Sequence, residues 1–145
     1  MEKMMSTNSD GPRPERAQPE SLRLKMLSPN LTVDDAEESL RWYTEVVGFT
    51  IEERWEHEGK LHGANLVAGS ANLMIGQDDW KKGRDRAKGE GLRLFFMTGQ
   101  DIDELAGGIK ERGGTLESEP QETPWGGRAF SLVDPTGFKI TIAGE

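Results

Sequence analysis

The sequence predicts an α+β fold made of two βαβββ units. Three observations predict it. The chain closes on a strand–turn–strand pattern: residues 128–133 alternate, Asp134-Pro135-Thr136-Gly137 is turn chemistry, and 138–142 run apolar, polar, apolar, polar, apolar. A shift of about 67 residues lays Asp34 on Asp101, Gly59 on Gly126, Ser70 on Gly137 and Ile75 on Ile142, the mark of an internal repeat. The match slips by one residue at the helix ends, where Gly48 answers to Gly114. Each half also holds one helical pattern opened by an aspartate and closed by glycine.

The elements follow in order. Residues 1–20 are Ser, Pro, Asn and charge with no apolar period, which predicts a flexible arm and not a signal peptide. Residues 22–33 read as a strand, with Leu31 and Val33 on one face and Ser28, Asn30 and Thr32 on the other. Pro29 marks an edge position or a bulge. Asp34 is the expected helix cap, with Glu37 three residues on. Ala36, Leu40, Tyr43 and Val47 form the apolar stripe, and Gly48 ends the helix. Strands at 49–58, 61–67 and 71–75 complete the first unit, 21–77, with turns at Gly59-Lys60 and Gly69-Ser70.

Residues 78–90 are polar and mixed in charge, a solvated linker. Five basic residues there (Lys81, Lys82, Arg84, Arg86, Lys88) leave an anion site as the alternative. The second unit, 91–145, opens with a strand at 92–98. Asp101 and Glu104 begin its helix, Ile102, Leu105, Ala106 and Ile109 form the stripe, and Gly113-Gly114 stop it. Strands at 115–119, 128–133 and 138–142 follow.

At 145 residues the chain has the size of one domain. With 34% hydrophobic and 30% charged residues, part of it must be highly solvated. A net charge of −8 disfavours nucleic acid and anionic membrane surfaces as partners, and no apolar run is long enough to span a bilayer. The absence of cysteine excludes thiolate chemistry and fits a reducing, cytoplasmic setting.

Two segments carry a family resemblance. Ser39-Leu40-Arg41-Trp42-Tyr43-Thr44-Glu45-Val46-Val47-Gly48-Phe49 resembles the "S..FY..vLGF" motif of the glyoxalase, bleomycin-resistance and extradiol-dioxygenase superfamily, the vicinal oxygen chelate fold. Pro124-Trp125-Gly126, then Arg128 and Asp134-Pro135-Thr136-Gly137, resembles its second-module "pWG.R...v.DPdG" pattern. The resemblance covers about residues 22–142. It implies curved sheets forming a cup with helices outside, built within one chain or across a homodimer. Members that are enzymes hold a divalent metal on the first and last strands of each module. Those positions fall here on Ser28, on Leu94 or Phe95, on Met74 and on Thr141, none a usual ligand. No metal and no cofactor are therefore expected. His57 and His62, beside Glu56 and Glu58, read as exposed turn residues.

No serine sits in a nucleophile elbow and no glycine-rich loop follows a strand, so no catalytic residue is assigned. Strand alternation, with the resemblance, places Ser28, Asn30, Thr32, Asn72, Met74, Lys139 and Thr141 on a cavity wall. Either Phe95 and Met97 or Leu94 and Phe96 join them. Trp55 and Trp125 are the aromatic candidates at the rim, Glu53 adds a negative charge beside Trp55, and Arg128 belongs to the ligand-binding set. The expected function is metal-free sequestration of an aromatic or cationic drug or metabolite. The alternatives are a glyoxalase- or dioxygenase-type enzyme with an atypical metal site, or a partner-binding protein with a filled cavity.

Overall fold

The computed structural model describes residues 22–145, and the arm expected at 1–20 lies outside them. β1 (Asn30–Val33) leads into α1 (Ala36–Arg41), which widens directly into a π-helical segment (Trp42–Val47). β2 (Thr50–His57), β3 (Lys60–Ala68) and β4 (Ala71–Gln77) follow. The second half runs β5 (Arg93–Thr98), α2 (Ile102–Glu111), β6 (Leu116–Glu122), β7 (Arg128–Val133) and β8 (Lys139–Gly144). The pattern is βαβββ twice. Each unit forms an open four-stranded sheet, β1-β4-β3-β2 and β5-β8-β7-β6. In each, the first and last strands pair in parallel and the remaining neighbours are antiparallel. The helical crossover carries the chain to the far edge, and two hairpins bring it back to the first strand.

Several boundaries differ from expectation for identifiable reasons. β1 begins at Asn30 and not at 22: β4 pairs no further than Met74 with Asn30, and Leu22, Leu24, Met26 and Leu27 are exposed. The cap of α1 is Asp35, whose Oδ1 accepts the Glu38 N–H at 3.1 Å. Asp34 is drawn elsewhere, its amide donating to Thr136 Oγ1 at 3.0 Å and its carboxylate pairing with Lys88. Asp101 caps α2 as expected, accepting the Glu104 N–H at 3.0 Å. The first hairpin turns on Glu58 and Gly59, one residue earlier than expected, with φ of 52° and 77°. Positive φ at both central residues is what a tight two-residue hairpin needs to match strand twist.

The core forms on the helix-covered side of both sheets. α1 lies across β3 and β4, and α2 lies across β6, β7 and β8 and against the π-helical segment. Leu31, Val33, Leu66, Leu73 and Ile75 from one sheet join Phe130, Leu132 and Ile140 from the other in a single apolar cluster, with Leu40, Tyr43, Ala106 and Ile109 from the helical segments. The units are stitched on this side. Tyr43 Oη donates to Asp134 Oδ2 at 2.7 Å, Phe49 meets Phe96 edge-on at 5.9 Å, and Arg112 Nε donates to the Val46 carbonyl at 2.9 Å. Among the described residues no helix is long and apolar enough to cross a membrane.

The segment between the sheets is not simply solvated. Asp78 and the Lys88 side chain are buried, and the Lys88 ammonium sits between Asp34 and Asp78, 2.8 Å from Asp78 Oδ2. Arg86 Nη2 reaches the same oxygen at 3.0 Å. Lys88 and Arg84 also lie over the Trp80 ring, 4.5 and 4.6 Å from its centroid. Buried charges require such pairing, and it lets Asp78 and Lys88 turn inward while most of the segment stays exposed. The Lys88 hydrogen bond and the Trp80 N–H hold the Asp78 carboxyl well below its usual range. Burial alone would lower the Lys88 pKa, but its bonds to Asp34 and Asp78 outweigh that and raise it.

Candidate ligand-binding faces

Each sheet has a second face that no helix among the described residues covers. On the first sheet, alternation and register place Asn30 and Thr32 of β1, Met74 and Gly76 of β4, Gly63 and Asn65 of β3, and Glu53 and Trp55 of β2 on this face. Trp55 lies over Gly63, where a Cβ would stand 3.1 Å from the indole and 2.6 Å from the Ile75 carbonyl oxygen. The glycine is thus what lets the indole lie against the sheet. A polar chain crosses the same strands. Ser28 Oγ donates to Asn72 Oδ1, Asn72 Nδ2 to Asn65 Oδ1 at 2.9 Å, and Asn65 Nδ2 to Glu52 Oε1 at 2.6 Å. Each amide donates through nitrogen and accepts through oxygen, so one consistent orientation satisfies the chain.

On the second sheet Phe95 and Met97 occupy the uncovered face, and Leu94 is in the core, which decides between the two registers left open by sequence. Thr141 is the Cα partner of both Phe95 and Ser131 and lies opposite the core residue Ile140, so it faces away from α2. Phe95 is 50% exposed and Trp125 61% exposed, with ring centroids 6.2 Å apart. Arg93 Nη1 donates to Thr141 Oγ1 at 3.0 Å and meets Glu117 Oε1 at 3.4 Å. Arg128 lies on the other side, in step with Phe130 and Leu132. Its guanidinium grips Asp103 at the start of α2 through Nε and Nη2, at 2.9 and 2.7 Å, and this bonding raises its pKa.

The expected site residues therefore fall into two groups. Ser28, Asn30, Thr32, Trp55 and Met74 belong to the first sheet, and Phe95, Trp125 and Thr141 to the second. Among the described residues no hydrogen bond, ion pair or ring contact joins one uncovered face to the other. Two residues absent from the sequence-based set are Glu52 and Glu117. Each sits where its strand slips register, between Ile51 and Glu53 and between Leu116 and Ser118. An extra residue in one strand turns a side chain that simple alternation assigns to the other face.

The donor chemistry does not fit a divalent metal. Register sets Asn30 against Met74 and Phe95 against Thr141, and no group of three or more His, Asp or Glu among the described residues is placed to hold an ion. His57 and His62 are neighbours at 5.8 Å beside an exposed turn, with Glu58 3.6 Å from His57.

Residues 25–142 match the family described as the Glyoxalase/Bleomycin resistance protein/Dioxygenase superfamily. The chain belongs to this superfamily. Solved superfamily members share its α+β architecture. TioX from Micromonospora sp. ML1 is 21% identical with a TM-score of 0.69, over 83% of this chain and 98% of TioX. A superfamily member from Sphaerobacter thermophilus DSM 20745 is 26% identical with a TM-score of 0.67, over 85% of this chain and 98% of its own. TnmS3, an antibiotic binding protein from Streptomyces sp. CB03234, is 25% identical with a TM-score of 0.65, over 85% and 98%. No curated protein matches the chain. Superfamily membership and the likeness to an antibiotic binding protein fit small-molecule binding. The two motifs that carried the resemblance meet in space: Tyr43 comes from one, Asp134 from the other, and they share a buried hydrogen bond.

Proposed function

We propose that this chain binds and sequesters a small aromatic molecule without a metal, as a homodimer. In this reading the uncovered face of the first sheet meets the uncovered face of the second sheet of a partner copy, and the ligand lies between them. The observation that carries the proposal is the exposure of Trp55, Phe95, Met97 and Trp125 on strand faces and a turn that no element among the described residues covers. Contiguous exposed aromatic surface next to fixed polar groups is what a flat organic ligand uses. The units are joined through their helix-covered sides, so a closed site needs a second copy. Self-complementary pairing of this kind gives a two-fold dimer with two equivalent sites. Ser28, Asn30, Thr32 and Met74 would line one wall and Thr141 the other, with Glu52 and Glu53 drawing any basic group on the ligand. The antibiotic binding by TnmS3 supports a small-molecule ligand.

Equilibrium dialysis against anthracycline, quinoxaline and glycopeptide antibiotics tests this. Saturable binding of at least one aromatic compound is expected, and no binding at high micromolar concentration across all three overturns it. A stoichiometric, tightly held divalent ion after purification would instead favour a glyoxalase- or dioxygenase-type enzyme.

A further inference from the structure

We propose a second binding feature: a docking pocket for an oxyanion where the inter-sheet segment meets the start of β5 and β8. The pocket is open, about 600 Å³, and lined by Glu90, Leu92, Arg93, Gly137 and Lys139, with Lys88 at its edge. Part of its positive charge is not spent on neighbours. Lys88 is committed to Asp34 and Asp78, but Lys139 makes no hydrogen bond or ion pair among the described residues. Arg93 and Lys139 are Cα partners on adjacent parallel strands, so their side chains leave the same face side by side. Thr141 and Glu117 hold Arg93 through Nη1 alone, leaving Nε and Nη2 without a partner among the described residues. A guanidinium fixed at one nitrogen, with a free edge and an ammonium beside it, is prepared for a carboxylate, sulfate or phosphate.

Glu90 is the one acidic residue of the lining, and Glu117 meets Arg93 from the neighbouring strand. On a chain with net charge −8, an unpaired ammonium beside a guanidinium that keeps a free edge is a local positive feature. Of the linker's basic residues, which the sequence offered as an anion site, only Lys88 borders this pocket, and it and Arg86 are neutralised in place. Phe95 follows Arg93 on the same face of β5, two residues or about 7 Å further on. An aromatic acid can therefore place its ring on Phe95 and Trp125 and its anionic group on Arg93 and Lys139. The oxyanion is thus either a free inorganic ion or the acid group of an aromatic ligand.

The test uses the full chain, with inorganic phosphate followed by amide chemical shifts. Dialysis then compares 2-naphthoate with the neutral 2-naphthalenemethanol. Lys139→Gln is expected to weaken oxyanion binding about tenfold, the loss of one charge-assisted contact, and Lys139→Arg to restore most of it. Lys139 is exposed, so an unchanged urea midpoint in both variants is expected and separates binding from folding. Saturable phosphate shifts at Arg93 and Lys139 support the pocket with a free ion. Lys139-dependent preference for naphthoate without phosphate binding supports it with the ligand's own acid group. Phosphate binding with no naphthoate or naphthalenemethanol binding upholds the pocket with a free ion, and the antibiotic dialysis then decides the sequestration reading separately. The pocket is overturned, and sequestration left standing, if naphthoate and the alcohol bind equally and phosphate does nothing. Binding that is indifferent to Lys139→Gln overturns it as well.

Discussion

Tyr43 and Asp134 are 91 positions apart and meet at 2.7 Å in a buried contact. The other Asp134 oxygen accepts the N–H groups of Thr136, Gly137 and Phe138 at 3.0, 2.8 and 2.7 Å, so one carboxylate closes the β7–β8 turn and ties it to the helix of the first unit. Tyr43→Phe should cost ~1–3 kcal/mol of stability, since it strands a buried acceptor, and urea unfolding measures this. Burial first, and then the Asp134 charge and hydrogen bond, push the Tyr43 hydroxyl far above its usual pKa of 10.0. The folded state keeps this proton where an unfolded tyrosine gives it up. The contribution is therefore complete below about pH 10 and declines as pH rises beyond it. Tyr43→Phe should remove that part of the alkaline slope. Thr141→Val on the uncovered face should leave the urea midpoint nearly unchanged. If the hydroxyl contacts ligand, affinity should fall by roughly 0.5–1.5 kcal/mol.

At the scale of elements, legibility followed the range of the interaction that fixes each one. β7 was placed to the residue because 128–133 alternate and turn signals bound them on both sides. The faces of β1 and β8 were also readable, since Leu31, Val33 and Ile140 are apolar among polar neighbours. The choice between Asp34 and Asp35 was not readable. Both side chains can cap, and what decides is a lysine 54 positions away that takes Asp34. The bulge glutamates were hidden because alternation assumes an unbroken register. The burial of Asp78 and Lys88 within 78–90 is hidden because composition reports charge but not pairing.

That segment carries its own prediction. Asp78 has a depressed pKa in the folded state, so its contribution is complete above the unfolded carboxyl value of 3.8. The contribution falls away as the pH drops below that value towards the folded pKa. Urea midpoints measured from pH 7 down to pH 2 should decline less steeply at the acid end in Asp78→Asn than in the parent chain, from a lower starting stability.

At the scale of the molecule, the helix-covered sides of both sheets join in one core and the aromatic faces are left uncovered. For this reason the proposed site takes Trp55 from one copy and Trp125 from another. The arrangement also explains why the sequence, which identified both tryptophans, did not show that they lie on separate sheets. The direct measurement is complementation. Trp55→Ala and Trp125→Ala chains are each assayed for binding of the best aromatic ligand from the dialysis panel, then mixed, allowed to exchange partners, and assayed again. A site shared across copies predicts that each variant alone binds weakly and that mixing restores part of the capacity, because one of the two sites in a mixed dimer has both tryptophans. If both variants bind weakly and mixing restores nothing, the site lies within a single chain and the account is contradicted.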